Sequence, residues 1–248
     1  MKHIAYQLYC SRNTPSLEGT FKMLSHAGYK FVEGYGGILQ NPDALKLQLD
    51  ANHLAMQSSH MSIVDIEADP VGCLNIAKKL NLRAVFVPFV ELDDRPINAV
   101  GWSAFGKRLA QAGKPFQDVG IKFGWHNHDF EFVATDTGEL PLDLIAQADD
   151  SLFLELDLGW IERAGLNAVD WINKYGGRIA AAHIKDLALE GECLTEDGWA
   201  DVGQGTVDWV PIHAALQSVG VDHYIIEHDN PSDAARFAQR SLAAVSKF

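Results

Sequence analysis

The stretch Ile179-Ala-Ala-Ala-His-Ile-Lys-Asp186 decides how this chain is read. A short apolar run followed by His183, Lys185 and Asp186 describes a buried strand with polar residues at its end. Alternate side chains of a strand share a face, so His183 and Lys185 point the same way. An imidazole beside an ammonium at the mouth of an apolar strand suits a metal ligand next to a proton-handling or oxyanion-stabilising group. The competing reading is a strand end whose polar residues meet water. The rest of the chain decides between the two.

Outward from this stretch, β-type runs alternate with helical ones. Strand-like runs fall at 3–9, 31–36, 54–61, 84–90, 121–128, 152–158, 179–185 and 224–227. Helical spacing follows them at 15–27, 42–52, 69–80, 97–119, 141–147, 168–175, 208–218 and 233–247. Leu17, Phe21 and Leu24 mark the first helix and Gly28 its C-cap, while Asn41-Pro42 caps and opens the second. Gly113–Pro115 marks a point where the long 97–119 region divides in two. Strands alternating with helices imply a parallel sheet. Eight units of about 31 residues point to one closed (β/α)8 TIM barrel, an α/β fold filling residues 1–248 as a single domain. A doubly wound open sheet would bring a glycine-rich phosphate loop after its first strand. Here that place holds Cys-Ser-Arg-Asn-Thr-Pro (10–15).

Composition narrows the function classes. The chain has 248 residues, 47% hydrophobic, enough for a substantial core. A net charge of −13 repels nucleic acid, whose binding is driven by Lys and Arg neutralising phosphates. No run of eighteen apolar residues exists, which argues against a membrane span. The N-terminal residues lack the apolar region of a signal peptide, and three cysteines without C-x-x-C spacing suit a reducing compartment, so a cytoplasmic location is expected.

In a barrel, chemistry gathers at the C-terminal ends of the strands, and the polar residues of this chain gather there. Strand two ends in Glu33 and strand three in His60. Strand five ends in Trp-His126-Asn-His128-Asp-Phe-Glu131. Strand six carries Glu155 and Asp157, strand seven His183 and Lys185, and strand eight Glu227-His-Asp229. Solvated strand ends explain one or two of these less strainedly than the whole set.

The motifs His-Asn-His-Asp-Phe-Glu-Phe (126–132), Glu-Leu-Asp-Leu-Gly-Trp (155–160), His-Ile-Lys-Asp (183–186) and Val-Gly-Gln-Gly-Thr-Val-Asp-Trp (202–209) lie in this order, ahead of the Ile-Ile-Glu of strand eight. With them the chain resembles the xylose isomerase-like (β/α)8-barrel superfamily of sugar phosphate isomerases/epimerases, also called the AP endonuclease family 2 group. The resemblance covers essentially the entire chain. Members include ketose 3-epimerases, hydroxypyruvate isomerase and inosose dehydratase. The resemblance implies one divalent metal, usually manganese, magnesium or cobalt, held by carboxylates and a histidine from the last four strands. Asp157, His183 and Glu227 match three of those ligands. Ketose epimerases place a Glu inside strand five, where this chain reads Phe-Gly-Trp-His-Asn-His (123–128). Either Glu131 reaches back from the loop, which is the reading adopted, or His126 or His128 takes the place.

Carboxylates with imidazole suit manganese, magnesium or cobalt better than zinc. Such a metal polarises a carbonyl and lowers the cost of the adjacent enediolate. The leading expectation is a sugar isomerase or epimerase acting on a ketose, keto-sugar or sugar phosphate, with Lys185, His128 and Glu227 as catalytic residues. His60, Glu33, His126, Glu155 and Trp160 are expected substrate contacts, Glu155 also standing as a partner of a ligand or of Lys185. Trp199 is read as a stacking surface, and Gly203-Gln204-Gly205 as a flexible loop over the mouth. The alternative is a dehydratase or lyase on a keto-polyol or 3-keto-glycoside, using the same enediolate; a non-catalytic sugar-binding barrel stands behind it. The partner expected is a small sugar, with neither nucleic acid nor membrane. Dimers or tetramers are common in families of this kind, which leaves a homo-oligomer open.

Overall fold

The computed structural model describes residues 2–248. Eight parallel strands close into a barrel: β1 (His3–Gln7), β2 (Phe31–Gly34), β3 (Ala55–His60), β4 (Ala84–Val87), β5 (Lys122–His126), β6 (Phe153–Asp157), β7 (Ile179–Ile184) and β8 (His223–Ile226). Each strand pairs with its neighbour in sequence, and β1 closes the ring on β8 with Tyr6 opposite Ile226. Between them run α1 (Leu17–Ala27), α2 (Pro42–Ala51), α3 (Ile63–Ala68), α4 (Pro70–Leu80), α5 (Ala99–Gln117), α6 (Pro141–Gln147), α7 (Leu158–Arg163), α8 (Ala168–Tyr175) and α9 (Trp209–Ser218), with α10 (Ala234–Val245) last. Among the described residues no helix is long and apolar enough to cross a membrane.

The period of two divides each strand between two cores. Tyr6, Val32, Val85, Trp125, Leu154 and Ile226 pack outward in one large cluster with helix residues such as Phe21, Leu109 and Ile172. Their neighbours Ala5, Ala84, Phe86, Ala181 and Ile225 form a second, small cluster that plugs the interior. The polar residues Glu33, His60, His126, Glu155 and His183 lie on this inner side, nearer the C-terminal ends. The sheet is irregular at two places, with register shifts between Val32 and Glu33 and between Leu154 and Glu155. A bulge re-aims the side chain that follows it, and in both cases that side chain is an interior carboxylate.

Side-chain caps start the helices where the sequence suggests: Ser16, Asn41, Asp69, Asn98, Asp208 and Asp233 each accept from a backbone N–H of the first turn. Gly28 ends α1 at φ 103°. Two short helices are absent from the sequence reading. At six residues each, α3 and α7 offer too little periodicity to be seen. The expected break at Gly113–Pro115 does not occur, and α5 runs straight through. Proline weakens a helix but does not end it where packing holds both sides. Gly113 supplies that packing, since a Cβ there would lie 2.2 Å from Phe123 Cδ1.

The segment after β7 is not a flexible loop. Asp186–Leu187 pairs antiparallel with Trp199–Ala200. Asp186, fully buried, accepts from the backbone N–H of Leu187, Gly203 and Val207 and from the Trp209 indole, at 2.8–3.1 Å. Gly205 is required, because a Cβ would lie 2.2 Å from Leu187 O. Arg236 ties the far end by pairing with Glu196 and Asp201. Asp186→Ala strips four donors, the Trp209 indole among them buried, of one acceptor and is expected to cost about 3 kcal/mol, lowering Tm by roughly 6–12 °C. A Tm change under about 2 °C in thermal unfolding would show the loop held by other contacts.

Candidate metal and substrate site

Strands β2, β3, β5, β6, β7 and β8 deliver their polar ends to one place. His126, Asp157, His183 and Glu227 each bring a ligand-type atom within 4.8 Å of the others. A second group, His60, His126, Glu155 and His183, meets the same criterion and shares two members with the first. All are buried; Glu155, Asp157 and His183 have no exposed surface at all.

The upper group carries the marks of a cation site. Asp157 caps α7, with Oδ1 accepting from Trp160 N at 2.9 Å. Its Oδ2 is buried without a hydrogen-bond partner, while Nδ1 of His126 lies 3.1 Å from Glu155 Oε2. A buried carboxylate oxygen left unbonded is costly unless something else satisfies it. His183 Nδ1 lies 2.9 Å from Glu227 Oε2 and 3.9 Å from Asp157 Oδ2. Two carboxylates and two imidazoles converging this closely fit a divalent cation of mixed nitrogen and oxygen preference.

One lysine stands among three of the carboxylates. Lys185, fully buried, places Nζ 2.6 Å from Asp229 Oδ1, 3.2 Å from Glu227 Oε2 and 3.6 Å from Asp157 Oδ2. Its ammonium lies 4.4 Å from the Trp199 ring centroid and 5.0 Å from that of Trp160. Burial works against its charge, but the carboxylates of Asp229, Glu227 and Asp157 outweigh burial and hold its pKa above the ordinary lysine value. Lys185 is placed as a hydrogen-bond donor to Glu227 and Asp229. Burial pushes the Asp157 carboxyl up to about 7 against the pull of Lys185. The Glu227 carboxyl stays well below the usual range, since Lys185 and His183 overcome its burial. Burial drives His126 down to about 3 and keeps His128 neutral as well.

Above these groups opens a cavity of about 520 Å³. His60, His126, Glu227 and Asp229 form its floor, and Tyr9, Tyr35, Phe89, His128 and Trp160 its walls. Nδ1 of His128 and the Trp160 indole N–H are buried and without partners.

The structure thus joins Asp157, His183, Glu227 and Lys185 as the sequence pattern anticipates, and brings His60, His128 and Trp160 to the cavity. Other expectations are corrected. Glu131 does not reach back: the turn at Phe130–Phe132 points it into the wall, where Oε1 accepts from the Trp125 indole at 2.8 Å and Oε2 from His128 N at 2.9 Å. His126 stands in its place. Glu33 is not at the mouth; it is fully buried beneath the site and bonded to His183 and Gln7. Glu155 does not pair with Lys185, but accepts from His60 at 2.6 Å and lies 3.1 Å from His126. Trp199, buried, packs on Lys185 rather than lining the cavity. Tyr9, Tyr35 and Phe89 fall in the last positions of the strand-like runs 3–9, 31–36 and 84–90, where an aromatic residue reads as core; the strands stop at Gln7, Gly34 and Val87, which leaves all three at the cavity. Asp229 had a signal: it follows Glu227 by two.

Burial raises the Glu131 carboxyl from 4.5 to about 8, opposed by its N–H donors. A carboxyl raised on folding binds its proton more readily in the folded state, so its contribution is favourable at low pH and is lost as pH rises from about 4.5 to about 8. Wild-type protein is expected to lose stability relative to Glu131→Gln across that window, with metal binding retained in the variant. Parallel stability–pH curves would contradict this.

Comparison with known proteins agrees with the fold. Inosose dehydratase of Lacticaseibacillus casei is 25% identical over 92% of this chain and 89% of its own length. The structure of a sugar phosphate isomerase/epimerase from Parabacteroides distasonis superposes with a TM-score of 0.82 at 19% identity, covering 98% of this chain and 92% of that one. That of a probable 3-DHS dehydratase, AsbF, from Bacillus anthracis gives 0.78 at 14% identity over 99% of each. The sequence profile of the xylose isomerase-like TIM barrel matches residues 21–245, nearly the whole of the barrel just described, and the chain belongs to that family.

Proposed function

We propose that the protein is a divalent-metal-dependent dehydratase acting on a small, unphosphorylated keto-polyol. The observation that carries this reading is the strand-five group. A two-carboxylate epimerase needs an acid/base carboxylate there; this chain has His126, a neutral imidazole. The β5 side of the cavity is a histidine wall, His126 and His128, and the β8 side carries the carboxylates of Glu227 and Asp229, with the Lys185 ammonium buried behind them. Elimination needs one base and one group to support the leaving oxygen, which such a pair of walls supplies. The full-length similarity to an inosose dehydratase supports the same reading. The isomerase or epimerase expected from the sequence shares its first step.

His126, Asp157, His183 and Glu227 would hold the cation. Two imidazoles among four ligands favour manganese, cobalt or zinc over magnesium, which prefers oxygen alone. When bound, the cation supplies Lewis-acid polarisation of the substrate carbonyl. The neutral imidazole of His128, which lines the cavity, accepts at its free nitrogen the proton from the carbon next to that carbonyl. The same nitrogen returns the proton to the β-hydroxyl as the C–O bond breaks, so water leaves and a new C=C bond forms. Lys185 keeps its proton and stabilises the negative charge on oxygen. Trp160 offers its indole N–H to a substrate hydroxyl.

The rim argues against a phosphate. Arg12 is the guanidinium that lines the cavity, and it is bound to the backbone carbonyls of Tyr9 and Asp229, while Asp65 and Glu91 add negative charge. Proton NMR in heavy water, with manganese and a panel of keto-polyols, tests the proposal. Deuterium beside the carbonyl together with loss of water is the expected result. Exchange with every hydroxyl retained would give the isomerase reading instead, and no exchange with any keto-polyol would overturn both.

A further inference from the structure

Beneath the cation site lies a tier of polar side chains that the reaction above leaves unused. Gln7 and Glu33 are register partners on β1 and β2, and Glu33 enters the interior at the β2 register shift. Gln7 Nε2 donates to Glu33 Oε2 at 2.8 Å. The same oxygen lies 2.7 Å from Nε2 of His183. Gln7, Glu33 and His183 have no exposed surface, so no bulk water competes for these bonds. The other nitrogen of His183, Nδ1, is the one on the Glu227 side, at 2.9 Å. Glu155, which enters at the matching shift on β6, stands farther from Nε2, at 3.3 Å, and is engaged by His60.

A neutral imidazole has one N–H and one lone pair, and the partner of one nitrogen decides the state of the other. A carboxylate only accepts. The geometry points to Glu33 as the residue that sets the working state of His183: it holds the Nε2 hydrogen, so that Nδ1, on the side of Asp157 and Glu227, is the nitrogen whose hydrogen a cation would displace, and with Gln7 it fixes the rotation of the ring. This inference rests on the cation site proposed above. Glu33 touches neither cavity nor cation and acts through His183, so it is a positioning residue. A carboxylate partner also makes the imidazole a better donor to a metal than a neutral partner does. Glu33 Oε1 remains buried without a bond, an arrangement that fold stability alone does not favour.

The test uses manganese as the probe, with its Kd read by chelator competition on metal-free wild type, Gln7→Leu, Glu33→Gln and Glu33→Leu. Glu33→Leu is expected to weaken manganese binding by about 10–100-fold. Glu33→Gln, which keeps an acceptor without the charge, falls between it and wild type, and Gln7→Leu shows the smallest loss. A merely structural role would lower Tm in this order and leave Kd in place. Equal Kd values in wild type and Glu33→Leu overturn the inference, whereas a wild type that binds no manganese overturns the cation site itself. If Glu33→Leu does not fold, nitrogen-15 NMR of zinc-loaded wild type decides: a slowly exchanging proton on His183 Nε2 is the expected result, and a bare Nε2 contradicts the assignment.

Discussion

Glu227→Gln is expected to release the divalent cation and reduce turnover about 10³-fold or more, the several kcal/mol that a Lewis acid contributes to the barrier. Glu227 Oε2 is the atom on which the upper site closes, 2.9 Å from His183 Nδ1 and 3.2 Å from Lys185 Nζ. The amide is nearly isosteric with the carboxylate, but it brings no charge and offers one weak oxygen. Lys185 keeps Asp229 at 2.6 Å, so the variant stays folded and unfolds cooperatively. Metal content after desalting, measured beside turnover, checks this. Full activity in metal-free Glu227→Gln would defeat the assignment.

Lys185→Met is expected to act on stability first. It leaves Asp157, Glu227 and Asp229 facing one another without a cation in a buried site. Breaking a buried pair by removing one partner typically costs about 3–5 kcal/mol, because the remaining charge is uncompensated. The lysine pKa is raised above 10.5, so its stabilisation is whole at neutral pH and fades only as pH climbs beyond that value. At pH 7 the metal-free variant therefore shows the full loss, and added manganese restores part of it by returning positive charge to the site. Turnover in the loaded variant falls about 10²-fold, the scale of one lost oxyanion donor. Denaturant unfolding with and without manganese, beside kinetics, checks both parts. Unchanged stability and kinetics would make Lys185 dispensable.

The barrel was legible because its signals are local and repeated. Eight apolar runs, helical spacing after each, and caps such as Asn41 and Gly28 all agree, and the glycine-rich loop of an open sheet is absent. The late-strand residues Asp157, His183, Lys185 and Glu227 were legible for a related reason: parallel strands of similar length put equivalent positions at one rim. The strand-five ligand was not. His126 and Glu131 are both compatible with the sequence, and the choice depends on a three-residue turn whose direction is set by the Trp125 indole and the His128 amide. Glu33 was misplaced because the register shift just before it turns its carboxylate inward, and a one-residue irregularity leaves no mark in a pattern of period two; Glu155, in contrast, stands against His126 and His183, as its expected place beside a ligand requires. Asp186 stood in the strand-seven motif with no role of its own. Only the folded segment from Leu187 to Trp209 reveals the four donors that claim it.

A crystal of the protein soaked in manganese, with anomalous scattering recorded at the manganese edge, asks the question with least inference in between. The account predicts one strong peak about 2.0–2.4 Å from atoms of His126, Asp157, His183 and Glu227, with Glu131 turned away and Glu33 beneath His183. No peak, or a peak held by Glu131 or seated instead among Glu33, His60 and Glu155, would contradict it.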